Sequence, residues 1–148
     1  EKEWVAMPAL NLDAALLHVD HADMRGVCQI SGPDHYMDDW FARAATKTIV
    51  SCDKLVPETY FHDAFIARSV FWERSVTDAV VPIAGGAHPS SCVPLYGFDS
   101  AHFERYASFA KDGGIEAYFA EYLGDDEDDY QSRVGGLSMI RELPLPVY

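Results

Sequence analysis

The sequence predicts an α/β domain built on an open, mostly parallel sheet flanked by helices. Two patterns predict it. Short, nearly continuous apolar runs read as strands buried on both faces, and an amphipathic run lies between the first two of them. Strand, helix, strand is a βαβ unit, which implies a parallel pair.

The first strand is expected over Asp13 to Val19, the second over Thr48 to Cys52 and the third over Val76 to Ile83. Between the first two, Tyr36, Met37, Trp40, Phe41, Ala44 and Ala45 share one helical face, with Asp38, Asp39, Arg43 and Lys47 opposite, so a helix is expected from Tyr36 to Lys47. A cap at Asp99-Ser100 precedes a second helix carrying Phe103, Tyr106, Ala107 and Ala110. Gly113-Gly114 breaks it. Ile115, Tyr118, Phe119, Tyr122 and Leu123 form the stripe of a third helix, which Gly124 ends. The acidic run Asp125 to Asp129 reads as an exposed helix start, and the Pro-containing tail Leu143 to Tyr148 as extended chain. The segment Val56 to Ser75 carries Tyr60, Phe61, Phe65, Phe71 and Trp72. It reads either as a short helix plus a strand or as a surface packed against another chain. The expected division is a main unit over 1–124, followed by an acidic turn, a short helix and the tail over 125–148.

Composition excludes several function classes. With 148 residues and 49% hydrophobic content the chain can bury a core. Lys and Arg total 11 against 24 Asp and Glu, a formal charge of -13. Such a surface repels phosphate backbones, so no nucleic-acid partner is expected. No apolar run approaches the length of a membrane span, so no membrane partner is expected either. Cys28, Cys52 and Cys92 are widely spaced and contain no CxxC pair, which fits a reducing cytoplasm. The opening Glu1-Lys2-Glu3-Trp4 is neither a signal peptide nor an initiator methionine, and the expectation is a chain that begins partway through a longer protein.

Two stretches carry candidate chemistry. Gly85, Gly86, Ala87, His88, Pro89 and Ser90 follow the third expected strand, where open parallel sheets bind ligands. The glycines allow close backbone approach, and His88 and Ser90 add polar groups. The run lacks the Lys of a phosphate-binding P-loop. The second stretch is the turn Ser31 to Asp39, where Asp34 and His35 either cap a helix or also border a ligand cleft. Other features read as structural. His18 and His21 have a metal-like interval but no completing carboxylate motif, so a core or edge histidine is expected and no metal site. The acidic run lacks the spacing of a calcium loop and reads as a solvated face. A Cys92 nucleophile with His88 as base lacks an identifiable third member.

These landmarks occur, in order, in one family. Met7 to His18 resembles the "PALNPDVALIHA" stretch of the α-type subunits of glutaconate-type class I coenzyme A transferases. Ala22 to Gly26 resembles their "ADxxG" turn, Ala44 to Cys52 a following strand segment, and Val76 to Pro94 their Gly-rich loop region. Tyr96-Gly97-Phe98-Asp99 resembles "YxYD". Gly32 to Asp39 and Asp128 to Gln131 also resemble the α subunit of the ring-opening hydrolase of bacterial steroid degradation.

The resemblance implies the coenzyme A transferase (NagB/RpiA-like) fold, in the C-terminal half of an α-type subunit. It implies a coenzyme A thioester as substrate, with no covalently bound cofactor. The partners it implies are an acyl-CoA, a carboxylic acid and a β-type subunit, in a homo- or hetero-oligomer. The family's nucleophile is a glutamate in a Glu-x-Gly turn of the β-type subunit, and no glutamate here has Gly two residues on. The chain is therefore expected to carry no catalytic nucleophile, to complete an acyl-CoA pocket and to be inactive alone. The alternatives are a subunit of a CoA-linked ring-opening hydrolase and a non-catalytic remnant that only oligomerises.

Overall fold

The computed structural model describes residues 2–33, 35–111 and 113–147. Four strands form one sheet in the order β2-β1-β3-β4. Strand β1 spans Leu12–Ala22, β2 Cys28–Gln29, β3 Ala45–Leu55 and β4 Ala79–Pro82. β1 runs parallel to β3, with Leu16 opposite Ile49 and His18 opposite Ser51, and β3 runs parallel to β4. Helix α1, Asp38–Ala44, makes the crossover between β1 and β3.

The parallel β1-α1-β3 unit is the one expected, but its boundaries differ. The helix stops at Ala44, short of Lys47, and β3 begins at Ala45 with no loop. Asp78 causes this early switch. Its carboxylate accepts the Thr48 amide (2.8 Å) and pairs with Lys47 (2.8 Å), drawing both residues into the sheet. The third strand is shorter than Val76 to Ile83, because Arg74–Val76 curls into a 3₁₀ turn before Asp78 reaches β3. The two-residue β2 pairs antiparallel with the end of β1, a hairpin too short to leave a periodic signal.

Burial on both faces holds for only one face. Val19, Val50 and Cys52 pack with Ala42 of α1 and Trp72 in the main core. On the opposite face Leu16 is 76% exposed, and Ile49 and Val81 beside it are also exposed. The aromatic segment is not a helix plus a strand. It is three 3₁₀ turns, Glu58–His62, Ile66–Ser69 and Arg74–Val76, that fold over the main core. Trp72 is buried there and its indole donates to Thr77 Oγ1 (3.1 Å). Phe65 stays at the surface, 79% exposed.

Four helices complete the chain: α2 Ser100–Lys111, α3 Ile115–Tyr122, α4 Glu127–Arg133 and α5 Gly136–Glu142. Asp99 Oδ1 accepts the His102 amide (2.9 Å) at the start of α2, and Asp126 Oδ1 accepts the Asp129 amide (2.9 Å) at the start of α4. Both satisfy amides that the helix itself leaves unpaired. Ile140 of α5 packs on Cys92 and Tyr96 in a second core. The following chain lies against Gly97, where a Cβ would stand 1.8 Å from the Pro144 carbonyl oxygen, so glycine alone fits. Among the described residues no helix is long and apolar enough to cross a membrane.

Candidate functional site

A cleft of about 390 Å³ opens along the carboxyl half of β1. One wall holds Gly32, Pro33, Tyr36 and Asp38; the other is Ala87 and the stretch Ser90 to Val93. The two stretches singled out in the sequence, far apart in the chain, therefore converge on one concavity. Its place at the end of parallel strands is where such sheets bind ligands.

Two buried aspartates set this geometry. Asp20, near the end of β1, is 2% exposed and forms part of the cleft wall. Its Oδ2 accepts the Ser31 amide, and its Oδ1 accepts the Cys92 thiol (3.3 Å), so one carboxylate ties both walls to the strand. Asp53, near the end of β3, has a fully buried side chain. Its Oδ2 accepts from His18 Nε2 (3.2 Å), and its Oδ1 accepts from the Gly85 amide (3.1 Å) and from Arg141 of α5. Burial pushes the Asp53 carboxyl up, but donation from His18, Tyr96 and the Gly85 amide, with the Arg141 charge, outweighs it and leaves the group below its ordinary value.

Asp53 thus anchors the Gly-rich turn. Gly85 has φ +78°, a left-handed conformation that side chains rarely adopt. A Cβ on Gly86 would stand 2.8 Å from Ile83 Cγ2. The Ala87 amide donates to Tyr96 Oη (3.0 Å), which fixes the turn where it meets the cleft.

The expected site residues separate into groups. Ala87 and Ser90 face the cleft; Gly85 and Gly86 shape the turn behind it. The His88 side chain is fully buried, with Nδ1 against Tyr130 Oη (2.7 Å) and Nε2 against Asp99 Oδ2 (3.1 Å). With Pro89 it borders a separate groove of about 470 Å³ beside α3 and α4. His35 stacks on Phe71 (3.9 Å between centroids) and does not line the cleft. Asp34 lies outside the described residues.

His18 and His21 point to different places. His18 lies between Ser51 Oγ (2.9 Å) and Asp53, whereas His21 stacks on Tyr60 (5.1 Å). Among the described residues, two groups of side chains have metal-like convergence: His18, Asp53 and Cys92, and His88, Asp99 and His102. Hydrogen bonds already take up these donor atoms, and burial pushes the Cys92 thiol far up, which opposes the thiolate a metal requires.

Sequence reasoning missed Asp20, Asp53 and Arg141, and found Tyr96 only as part of a family resemblance, without its role. The two aspartates had a signal: each interrupts an apolar run near the carboxyl end of a parallel strand, where a polar side chain either meets a ligand or holds a loop. Arg141 had none, since its partner lies 88 positions away.

No protein-family model matches the chain. The cholesterol ring-cleaving hydrolase IpdA subunit of Rhodococcus jostii (strain RHA1) is 37% identical over 131 residues, which are 88% of this chain and 44% of that protein. The α-type subunit of glutaconate CoA-transferase from Acidaminococcus fermentans is 29% identical over 145 residues, 96% of this chain and 44% of that protein. The crystal structure of the Acidaminococcus fermentans transferase superposes with a TM-score of 0.78 at 28% identity, over 88% of this chain and 41% of that one. That of the decarboxylase AibA/AibB gives 0.62 at 32% identity, over 78% and 40%. The chain spans less than half the length of the curated relatives it matches. It is homologous to the α-type subunits of the class I coenzyme A transferases and to the cholesterol ring-cleaving hydrolase subunit.

Proposed function

We infer that the chain supplies the acyl-CoA cleft of an α-type subunit working beside a β-type subunit that carries the nucleophile. The observation that carries this reading is the convergence of Gly32, Pro33, Tyr36 and Asp38 with Ala87 and Ser90 to Val93 at the carboxyl end of β1. The thioester end of an acyl-CoA would lie between these walls. Ser90 and Ser91 offer hydrogen bonds to its oxygen atoms, Leu16 and Ile30 offer apolar contact, and His88 holds the loop from behind. In a transferase of this kind the second substrate is a carboxylic acid, and both subunits contribute to one site.

The exposed face around Leu16, Ile49 and Val81 supports a multi-chain or longer assembly. A parallel sheet is ordinarily covered on both sides. A second reading is hydrolysis of a CoA-linked ring. It is favoured by the 37% identity to the ring-cleaving hydrolase subunit, against 29% for the transferase.

The test is to express the full-length subunit with its β-type partner and to screen acyl-CoA donors, scoring transfer and hydrolysis separately. The reading expects one of the two activities in the complex and neither in the isolated chain. Turnover by the chain alone, or no acyl-CoA binding by the complex, would contradict it.

A further inference from the structure

Arg141 of α5 reaches the base of the loop that meets the cleft. It donates to Asp53 Oδ1, the oxygen that also accepts the Gly85 amide (3.1 Å). Its guanidinium carbon stands 5.4 Å from the centroid of the Tyr96 ring, and Tyr96 Oη accepts the Ala87 amide (3.0 Å). One side chain thus touches both anchors of the turn, Asp53 for Gly85 and Tyr96 for Ala87. The helix that carries it packs on the same turn: a Cβ on Gly85 would stand 3.0 Å from Leu137 Cδ1 and 3.3 Å from Ile140 Cδ1. Ala87 lines the cleft and Arg141 does not, so Arg141 acts on that wall from behind.

Asp53 does not need Arg141 to be satisfied. His18 Nε2 (3.2 Å), the Gly85 amide and the Tyr96 hydroxyl already donate to its carboxylate. An ion pair with one fully buried partner also adds little net stability, because desolvation offsets the attraction. What a guanidinium adds is direction. Its rigid fork and flat face hold a carboxylate and an aromatic ring in one relative geometry. We propose that Arg141 is a positioning residue of the acyl-CoA cleft: through Asp53 and Tyr96 it sets the turn from Gly85 to Ala87 in the arrangement that receives the ligand, without touching the ligand. This rests on the acyl-CoA reading above and deepens it.

Such a role has two signatures that general destabilisation lacks. Without Arg141, Asp53 keeps its three other donors, so the sheet stays intact while the turn loosens. The loss of order is therefore local to the turn. A wall that contacts the acyl-CoA equally before and during reaction contributes uniform binding, so its loosening raises KM and leaves kcat nearly unchanged. A purely structural residue would instead reduce the folded fraction, and the molecules that remain folded would bind as before.

The experiment uses the full-length subunit with its β-type partner and makes two measurements on each variant. Hydrogen–deuterium exchange should rise about tenfold in Arg141→Ala across the peptide holding Gly85 to His88, and stay unchanged across Leu16 to Val19. The Kd of an acyl-CoA that the wild-type complex binds should rise about 10- to 100-fold, the range of one charge-assisted hydrogen bond, with kcat changed by less than about threefold. Arg141→Lys, which keeps the charge and loses the fork, should fall between wild type and Arg141→Ala. Added guanidinium ion should restore part of the Arg141→Ala affinity and leave the wild type unaffected. Where Arg141→Ala does not fold, Arg141→Lys and Tyr96→Phe carry the same expectations for exchange and Kd. Equal rises in exchange across both peptides, wild-type Kd in folded Arg141→Ala, or wild-type Kd in folded Arg141→Lys and Tyr96→Phe where Arg141→Ala is unfolded would overturn the proposal. A wild-type complex that binds no acyl-CoA would instead remove the underlying reading, whereas the exchange result bears on Arg141 alone.

Discussion

The thiol of Cys92 donates to Asp20 Oδ1 at 3.3 Å although the two residues lie 72 positions apart. The contact joins the loop after β4 to β1, and both residues line the cleft. It also fixes the chemistry of the thiol. Burial and the adjacent carboxylate push Cys92 far above its ordinary value, so the neutral form dominates at neutral pH.

Cys92 should therefore be inert towards alkylating reagents while the chain is folded. Burial likewise raises Cys28, to about 12. Mass spectrometry after treatment with iodoacetamide near neutral pH should show neither residue modified until denaturant is added. Rapid labelling of Cys92 in the native state would break the Asp20 contact as described.

His88 should matter first for stability. Both ring nitrogens are engaged, and removing the ring strands Tyr130 Oη and Asp99 Oδ2 in a buried setting. His88→Ala should cost roughly 2 to 4 kcal/mol, the sum of two unsatisfied partners, read from denaturant midpoints. Ser90→Ala, at the cleft surface, should cost less than about 0.5 kcal/mol. An unchanged midpoint for His88→Ala would contradict the buried network.

The aromatic segment offers a matched pair. Trp72 fills the main core, whereas Phe65 faces out. Trp72→Ala should destabilise by about 3 to 5 kcal/mol and Phe65→Ala by less than about 0.5 kcal/mol. Equal effects would mean that the 3₁₀ turns do not pack as described.

Acid should unfold the chain in two stages. His102 is held below its ordinary value of 6.5, by burial and then by nearby His88, and burial lowers His21 as well. The unfolded chain then binds more protons just below that value, so stability falls as the pH drops through it. Asp53 and Asp99 are held below the ordinary 3.8, since hydrogen bonds and nearby positive groups outweigh their burial. Their contribution is present above that value and is lost as the pH falls through their lower folded values. Chemical denaturation across pH should show both declines, and His102→Asn should flatten the first without altering the second. Rising stability as the pH falls from about 7 to 5 would contradict these assignments.

Much of this architecture was legible because local pattern and fold agreed. The apolar runs expected over Asp13 to Val19 and Thr48 to Cys52 fall inside the adjacent parallel strands, and the middle of the helix expected from Tyr36 to Lys47 became the crossover helix. What failed was what depends on distant partners. The helix end was set by Asp78, 30 positions beyond Thr48. The place of Trp72 depended on the core formed by Val50 and Cys52, which no window around Trp72 contains. In the site, the Gly-rich loop and the turn carried local signals, whereas the anchors that unite them, Asp20 and Asp53, are single polar residues inside apolar runs.

The central claim is that acyl-CoA lies between Gly32, Pro33, Tyr36 and Asp38 on one side and Ala87 and Ser90 to Val93 on the other. Photo-crosslinking tests it most directly, using an acyl-CoA with a diazirine in the acyl chain and the full-length subunit bound to its β-type partner. Peptide mapping should place the adducts of this chain on those two segments, and excess unlabelled acyl-CoA should suppress them. Adducts confined to the groove beside His88 and Tyr130, or spread over the exposed face around Ile49 and Val81, would contradict it.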